Sequence, residues 1–198
     1  MRAGSRMSCI LVLISTGCRT RAVEGDVKAT APPAPPAHYD LGTPVDSTRL
    51  ATIDIDVDPT GARLPPGSGT ATTGLIVYAQ QCASCHGAKG EGISPAPKLI
   101  GRDPRQGFPF GRDPKLVRTV GNYWPYSTTL YDYVHRAMPL KAPGSLKPDE
   151  VYAVVAWILA ENEIIGRDSV MNAKTLPAVK MPAAGRFVAD DRQGKVVR

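Results

Sequence analysis

The most informative motif of this 198-residue chain is Cys82-Ala83-Ser84-Cys85-His86. Cys-x-x-Cys-His is the attachment pattern of c-type haem. The spacing suits that chemistry, because two thiols on one helical turn can each bond a haem vinyl group while the adjacent histidine reaches the iron. A redox-active dithiol and half of a zinc site are the alternatives, but the sequence has no second Cys pair to complete a Cys-rich zinc site. The motif therefore predicts one covalent haem c per chain.

A helix is predicted in the C-terminal half, after this motif. The segment 148–161 carries apolar residues at the spacing of an amphipathic helix. Pro148 suits the first turn of that helix, and the acidic pair Asp149 and Glu150 complements the helix dipole there. The apolar positions are Val151, Val154, Val155, Ile158 and Leu159.

Around the motif the sequence resembles class I cytochrome c, an all-α fold wrapped around one haem. Gly74 and Tyr78 match the glycine and the aromatic residue of the N-terminal helix in that family. The resemblance implies that the small residue lets the C-terminal helix cross closely. Trp157 stands where the family places an aromatic residue at this crossing.

The segment Pro97-Lys98-Leu99-Ile100-Gly101 resembles the Pro-x-Leu-x-Gly stretch that follows the haem motif in this family. The resemblance implies that the Pro97 carbonyl accepts the Nδ1 proton of His86, the first axial ligand, and that Leu99 presses on the haem face. Pro95 offers an alternative alignment, and a proline-rich loop without haem contact is the alternative interpretation.

The resemblance also implies a second axial ligand. Met138-Pro139 lies just before the C-terminal helix, as in the family arrangement, which makes Met138 the expected ligand. A thioether favours ferrous iron and raises the reduction potential. Met181, also followed by proline, and His135, one helical turn before Met138, are the alternatives.

A longer resemblance covers most of residues 40–192. The stretch DIDVDPTGARLPPGSG, the segments 119–146 and 149–159, and the stretch AKTLPAVKMPAAGRF resemble the cytochrome subunit of bacterial sulfane dehydrogenase from the thiosulfate-oxidising (Sox) system. Related cytochromes accompany periplasmic molybdenum sulfite dehydrogenases. That subunit often has two haem modules, whereas this sequence contains a single Cys-x-x-Cys-His. The resemblance implies a molybdenum sulfite or sulfane dehydrogenase subunit as electron donor, with a downstream cytochrome or oxidase as acceptor.

Aromatic and basic residues between the motif and Met138 are further candidates for the haem site. Tyr123, Trp124 and Tyr126 are expected to line the haem edge, with plain aromatic packing as the alternative. Arg102 and Arg118 are candidates to offset propionate charge, although solvent-exposed arginines are the simpler expectation.

The N-terminal residues indicate export. Residues 1–17 combine Arg2 and Arg6 with a short apolar run, which is typical of an export signal and too short for a permanent bilayer span. The end of this segment resembles a bacterial lipoprotein signal. That resemblance predicts a lipid on Cys18 and a periplasmic, membrane-anchored protein; ordinary cleavage with a free thiol is the alternative. Residues 18–37, rich in Pro and Ala, are expected to form an extended linker.

The remaining boundaries follow from composition and pattern. Residues 38–70 are predicted to be an extended flank, in which IDIDV reads as an exposed strand, and residues 71–161 are the haem domain. Residues 162–198 are predicted to form a C-terminal extension that wraps the domain. Its apolar spacing and the longer resemblance predict three residues against the domain or its partner: Leu176, Val179 and Met181.

The functional prediction is an electron carrier and no enzyme in its own right. A net charge of +6, spread over the chain without a run of like charges, gives no support for nucleic-acid binding. The rival hypothesis is a haem enzyme or ligand sensor with an open sixth iron position. A structural lipoprotein stabilised by its haem is a third.

Overall fold

The computed structural model describes residues 41–188 and, ahead of them, residue 34 alone. The chain divides into two units, Met1–Pro44 and Val45–Arg198, and the regular structure lies in the second. The predicted export signal, Cys18, the Pro-rich linker apart from residue 34, and the last ten residues lie outside the described residues. The elements are α1 (Ser47–Ile53), β1 (Ser68–Thr70), α2 (Ala71–Gln81), α3 (Ala83–His86), a 3-10 turn (Pro109–Gly111), α4 (Val120–Tyr123), α5 (Ser127–Ala137), α6 (Pro148–Glu161), β2 (Val170–Asn172) and a second 3-10 turn (Ala184–Arg186).

The crossing of α2 and α6 forms the centre of the fold. Thr70 caps the N-terminus of α2: its side chain accepts from the Thr73 N–H and so satisfies one of the free donors of the first turn. At the crossing, a Cβ on Gly74 would overlap the backbone of Ala153, so only glycine permits this approach. The rings of Tyr78 and Trp157 stack there with centroids 3.8 Å apart. The structure thereby confirms the roles predicted for Gly74, Tyr78 and Trp157 in helix packing.

α6 is buried along nearly its whole length. Its residues Val151 to Ala160 are all buried, so the helix is covered on every side and not only along one apolar stripe. Pro148 occupies the first turn, and the Glu150 carboxylate accepts from the Lys147 N–H at 2.7 Å. The neighbouring carboxylate of Asp149 accepts from the Ser68 N–H, which ties β1 to the start of the helix.

A two-stranded antiparallel sheet adds to the helical fold. β1 pairs with β2 so that Gly69 faces Met171. A Cβ at Gly69 would overlap the Ala153 backbone, because β1 lies directly on α6. The described fold is therefore mainly helical, with one small ladder that the all-α prediction did not contain.

Segments on both sides of residues 71–161 contribute to the core. The C-terminal segment buries Met171, Leu176 and Met181, and Val179 packs partly buried against them. This is the packing predicted for Leu176, Val179 and Met181. From the N-terminal side, Val57 is buried in the same core.

The flank before β1 corrects the strand predicted for IDIDV. Ile53 ends α1, whose N-cap Asp46 accepts from the Thr48 N–H, and Asp54 to Val57 pair with no strand. The Val57 N–H instead donates to the Asp132 carboxylate of α5 at 2.8 Å. A side chain of another element thus satisfies the backbone donor that a strand partner would have taken.

Candidate functional site

The Cys-x-x-Cys-His motif forms one helical turn directly after α2. The N–H groups of Cys85 and His86 both donate to the Cys82 carbonyl, at 3.1 and 2.9 Å. This turn places the two sulfurs on one short segment, with Cys82 half-buried and Cys85 exposed, both as free thiols. The buried hydroxyl of Tyr78 donates to the Gly87 carbonyl at 2.7 Å and anchors the end of the turn to α2.

The imidazole of His86 is held by one ring nitrogen. Its Nδ1 lies 2.9 Å from the carbonyl oxygen of Pro97, and a carbonyl can only accept, so Nδ1 carries the proton. Nε2 then has a free lone pair, which is the form of histidine that binds iron. The partner is Pro97 and not Pro95, the alternative that the sequence left open.

Gly92 positions the Pro97 carbonyl, a role that the sequence analysis missed. Its N–H donates to the His86 carbonyl at 2.7 Å, and its φ of 84° lies in the left-handed region that favours glycine. A Cβ on Gly92 would stand 2.7 Å from the Lys98 backbone nitrogen, so the loop segments at Gly92 and at Lys98 lie in close contact. The several glycines just after the motif were the available signal.

Asn162 is a second residue that sequence reasoning missed. It lies buried just after α6; its Oδ1 accepts from the Gly101 N–H at 2.8 Å and its Nδ2 donates to the Leu99 carbonyl at 3.3 Å. These bonds fix the loop that carries Leu99, which is half-buried against the core. Only the position of Asn162 at the end of the helix hinted at such a role.

The thiol of Cys82 is not activated as a nucleophile. Burial, with a smaller contribution from Cys85, raises the pKa of the Cys82 thiol to about 11. A raised pKa keeps the Cys82 sulfur protonated as a thiol near neutral pH. Within residues 41–188, no group of three or more His, Cys, Asp or Glu side chains is arranged to hold a metal ion.

The three methionines beyond the N-terminal region differ in their surroundings. Met171 and Met181 are buried in the apolar core, at 4% and 5% exposure. Met138 is half-buried at the C-terminal end of α5, where its N–H donates to the Val134 carbonyl. His135, the other alternative ligand, packs its ring near Tyr131, and its buried Nδ1 has no hydrogen-bond partner among the described residues.

The predicted haem-edge aromatics lie in different surroundings. Tyr123 packs with Phe108, Phe110 and Phe187 at centroid distances of 5.1 to 5.5 Å, whereas Trp124 meets Tyr133 edge-on. Tyr126 keeps 41% of its surface exposed.

The two candidate arginines already have partners in the protein. The Arg102 guanidinium donates to the Glu163 carbonyl at 3.0 Å. The Arg118 guanidinium lies 4.8 Å from the centre of the Tyr123 ring, within the range of a cation–π contact.

These residues fit a covalently held haem. Two thiols on one turn suit two thioether bonds, and the adjacent imidazole offers a free Nε2 oriented by a carbonyl.

No helix among the described residues is both long and apolar enough to span a bilayer.

The chain is similar to known c-type cytochromes. The family model described as cytochrome c oxidase, cbb3-type, subunit III matches residues 69–158. A chain in the crystal structure of the sulfane dehydrogenase SoxCD from Paracoccus pantotrophus is 39% identical, with a TM-score of 0.68, over 78% of this chain and 74% of that one. A chain of the thiosulfate dehydrogenase TsdBA from Marichromatium purpuratum is 28% identical over 46% of this chain and 18% of that one, with a TM-score of 0.34. No curated protein matches the chain.

Proposed function

Because the chain belongs to the c-type cytochrome family, we propose that it is a monohaem electron carrier of sulfur-compound oxidation. Membership of this family implies covalently bound haem c. When bound, haem c supplies a one-electron iron couple, and the protein supplies ligands, burial and a docking surface. The observation that carries the proposal is the His86 Nδ1 to Pro97 hydrogen bond, which leaves Nε2 free beside the two thiols.

The ligand set of this proposal uses four residues. Cys82 and Cys85 hold the haem through thioether bonds, and His86 binds the iron through Nε2. Met138 is the second axial ligand. Its support is that Met171 and Met181 are buried in the core, whereas Met138 keeps part of its surface free at the end of α5.

Four further side chains are proposed to lie along the haem. Each keeps part of its surface exposed, so each has surface available to a ligand. Leu99 follows the carbonyl that orients His86, which supports its contact with the haem face. The four are Leu99, Tyr123, Trp124 and Tyr126.

The proposed electron donor is a molybdenum sulfite or sulfane dehydrogenase subunit, and the acceptor is a downstream cytochrome or oxidase. The support is the 39% identity with a chain of a sulfane dehydrogenase over 78% of this chain. In this role the protein performs no bond chemistry on the sulfur compound.

Stopped-flow reduction of the ferric holoprotein tests the partner. With the purified molybdenum dehydrogenase and sulfite or a sulfane-sulfur substrate, we expect reduction that requires the dehydrogenase and is faster than for an unrelated class I cytochrome c. An equal rate with the unrelated cytochrome would refute the partner while leaving the haem assignment intact.

We place the protein in the periplasm, anchored by a lipid on Cys18. The support is the export-type segment 1–17 and Cys18, which directly follows it. Replacing Cys18 by Ser should release the protein from membranes and leave its haem spectrum unchanged. A membrane fraction that stays the same in cell fractionation contradicts the lipid anchor.

A further inference from the structure

One buried side chain at the end of α6 holds the loop that orients His86. Asn162 directly follows α6 and is 1% exposed. Its Oδ1 accepts from the Gly101 N–H at 2.8 Å, and its Nδ2 donates to the Leu99 carbonyl at 3.3 Å. The same amide therefore pairs with two backbone groups of the segment that begins at Pro97, the residue whose carbonyl meets the imidazole.

The orientation of this amide is fixed by a third contact. Its Nδ2 also donates to the Ile158 carbonyl at 2.8 Å, within the last turn of α6. A carbonyl can only accept and a backbone N–H can only donate, so exchanging the amide nitrogen and oxygen would oppose like groups at all three contacts. The loop is thus tied through one amide to a helix that is buried along nearly its whole length.

α4 encloses the amide and bonds the same loop. A Cβ on Gly121, which is buried, would overlap the Oδ1 of Asn162 and the Gly101 carbonyl oxygen. The Val120 N–H donates to the Leu99 carbonyl at 3.1 Å, whereas the Gly101 N–H is paired with Asn162 alone among the described residues. Loss of this amide therefore leaves a part-buried N–H without a partner, and the loop has to shift to satisfy it.

Leu99 connects the amide of Asn162 to Pro97. The Leu99 N–H donates to the Gly90 carbonyl at 2.8 Å while its carbonyl accepts from Asn162, so both backbone groups of this residue are bonded. Only Lys98 lies between Leu99 and Pro97. A shift of the loop at Leu99 therefore moves the Pro97 carbonyl relative to the imidazole.

We propose that Asn162 is a positioning residue that sets the reduction potential through His86. By holding Leu99 and Gly101, it keeps the Pro97 carbonyl on Nδ1, and this hydrogen bond raises the donor strength of Nε2. A stronger imidazole donor favours ferric over ferrous iron and so lowers the potential. The proposal rests on the haem ligation by His86 proposed above, and not on the identity of the redox partner.

Redox titration of the full-length holoprotein tests the role of Asn162. Asn162→Ala should raise the midpoint potential, because the Nδ1 hydrogen bond weakens, while the long-wavelength band of Met-ligated ferric haem stays. Gly121→Ala, which displaces the amide without removing it, should shift the potential in the same direction. Proton NMR of the ferrous holoprotein should show faster exchange of the His86 Nδ1 proton in both variants, by roughly three- to tenfold, the range that corresponds to one typical hydrogen bond.

Thr128→Val is the matched control. Thr128 is 1% exposed and its hydroxyl donates to the Pro59 carbonyl at 2.9 Å, so this variant also loses a hydrogen bond from a buried side chain to the backbone, but outside the loop 97–101. It should lose stability in urea unfolding and keep the wild-type potential and exchange rate. Asn162→Ser, which retains a polar group, replaces Asn162→Ala if the latter does not fold, and should give a smaller shift of the same sign.

Two outcomes in the variants overturn the proposal. One is a wild-type potential and exchange rate in Asn162→Ala and Gly121→Ala, which would limit Asn162 to a role in stability like that of Thr128. The other is a lowered potential with loss of the Met-ligation band, which would mean that the amide acts on the Met138 side of the haem. A wild-type spectrum without His86 ligation, seen before any variant is made, would overturn the proposed function and this proposal with it.

Discussion

At the scale of single residues, a backbone carbonyl selects the form of His86 that can bind iron. Among the described residues the imidazole has no carboxylate partner; its Nδ1 is paired with the Pro97 oxygen at 2.9 Å. A neutral acceptor orients the ring without adding a full negative charge beside the metal site. The loop that supplies this oxygen is itself fixed by Gly92 and by the buried amide of Asn162.

Replacing Met138 by Ala should leave the haem attached, because Cys82 and Cys85 hold it covalently. Loss of a thioether ligand should lower the reduction potential and abolish the weak long-wavelength absorption band of Met-ligated ferric haem. Optical spectra and redox titration measure both effects. Met181→Ala is the control, because it removes a buried core side chain and should reduce stability but keep the band.

If Met181→Ala abolishes the band instead, the assignment of Met138 is wrong. A high-spin wild-type spectrum with rapid binding of external ligands favours the rival hypothesis, a haem enzyme or sensor with an open sixth position.

Asp132 should make stability depend on pH. Burial alone would raise the pKa of this carboxyl, but hydrogen bonds from Arg136 and from the Val57 N–H hold it below its ordinary value of 3.8. A lowered folded-state pKa contributes stability that is present above pH 4 or so and is lost as the pH falls through the folded value. Asp132→Asn should cost roughly 1–3 kcal/mol near neutral pH, and the deficit should shrink in acid.

Urea unfolding from pH 7 to pH 3 measures this effect. Asp168→Asn, at an exposed position, is the control and should follow wild type. A deficit in Asp132→Asn that stays constant down to pH 3 contradicts the role of the ionised carboxylate.

At the scale of elements, the approach of α2 to α6 depends on the absence of one side chain. With hydrogen alone at Gly74, the helix lies directly on the Ala153 backbone, and the same turn brings Tyr78 against Trp157. Because α2 leads directly into the motif turn, this crossing also sets where the two thiols stand. Packing of the helices and geometry of the site are therefore coupled.

Gly74→Ala should force the two helices apart. We expect a loss of about 1–3 kcal/mol in the free energy of unfolding, typical of an overpacked core, measured by denaturant titration of the holoprotein. Gly111→Ala is the matched control, since a Cβ there meets nothing within 4 Å. Equal stability of the two variants would mean that the crossing can relax without cost.

At the scale of the whole molecule, the C-terminal segment completes the core. β2 pairs with β1 next to α6, and Leu176 and Met181 are buried in the hydrophobic core that includes α6. The Ser127 hydroxyl donates to the Leu176 carbonyl at 2.7 Å, which fastens the segment to the start of α5. The segment is thus part of the folded unit.

Leu176→Ala should destabilise the whole protein. The side chain is fully buried, so the cavity left behind should cost about 2–5 kcal/mol. Limited proteolysis should then cut between residues 170 and 183, where wild type resists. Val188→Ala, at a position 94% exposed, should change stability by less than about 0.5 kcal/mol. Equal protease sensitivity of the two variants would show that the segment is dispensable.

Features that depend on neighbours along the chain could be predicted from the order of the amino acids. The spacing of Cys82, Cys85 and His86 predicted the turn and the haem chemistry, and the apolar period of 148–161 predicted α6. The resemblance to class I cytochromes predicted the Gly74 crossing and pointed to the Pro97 carbonyl. These features depend on helical periodicity and on motif spacing, both of which are written in the order of residues.

The contacts between groups far apart in the sequence became apparent from the tertiary structure. Asp132 takes the Val57 N–H 75 positions away and so replaces the strand predicted for that flank, and Asn162 fixes Gly101 across 61 positions. The ladder between β1 and β2 arises in the same way. A polar or charged group can pair with many different groups. Which one it meets depends on how packing of the core brings distant segments together.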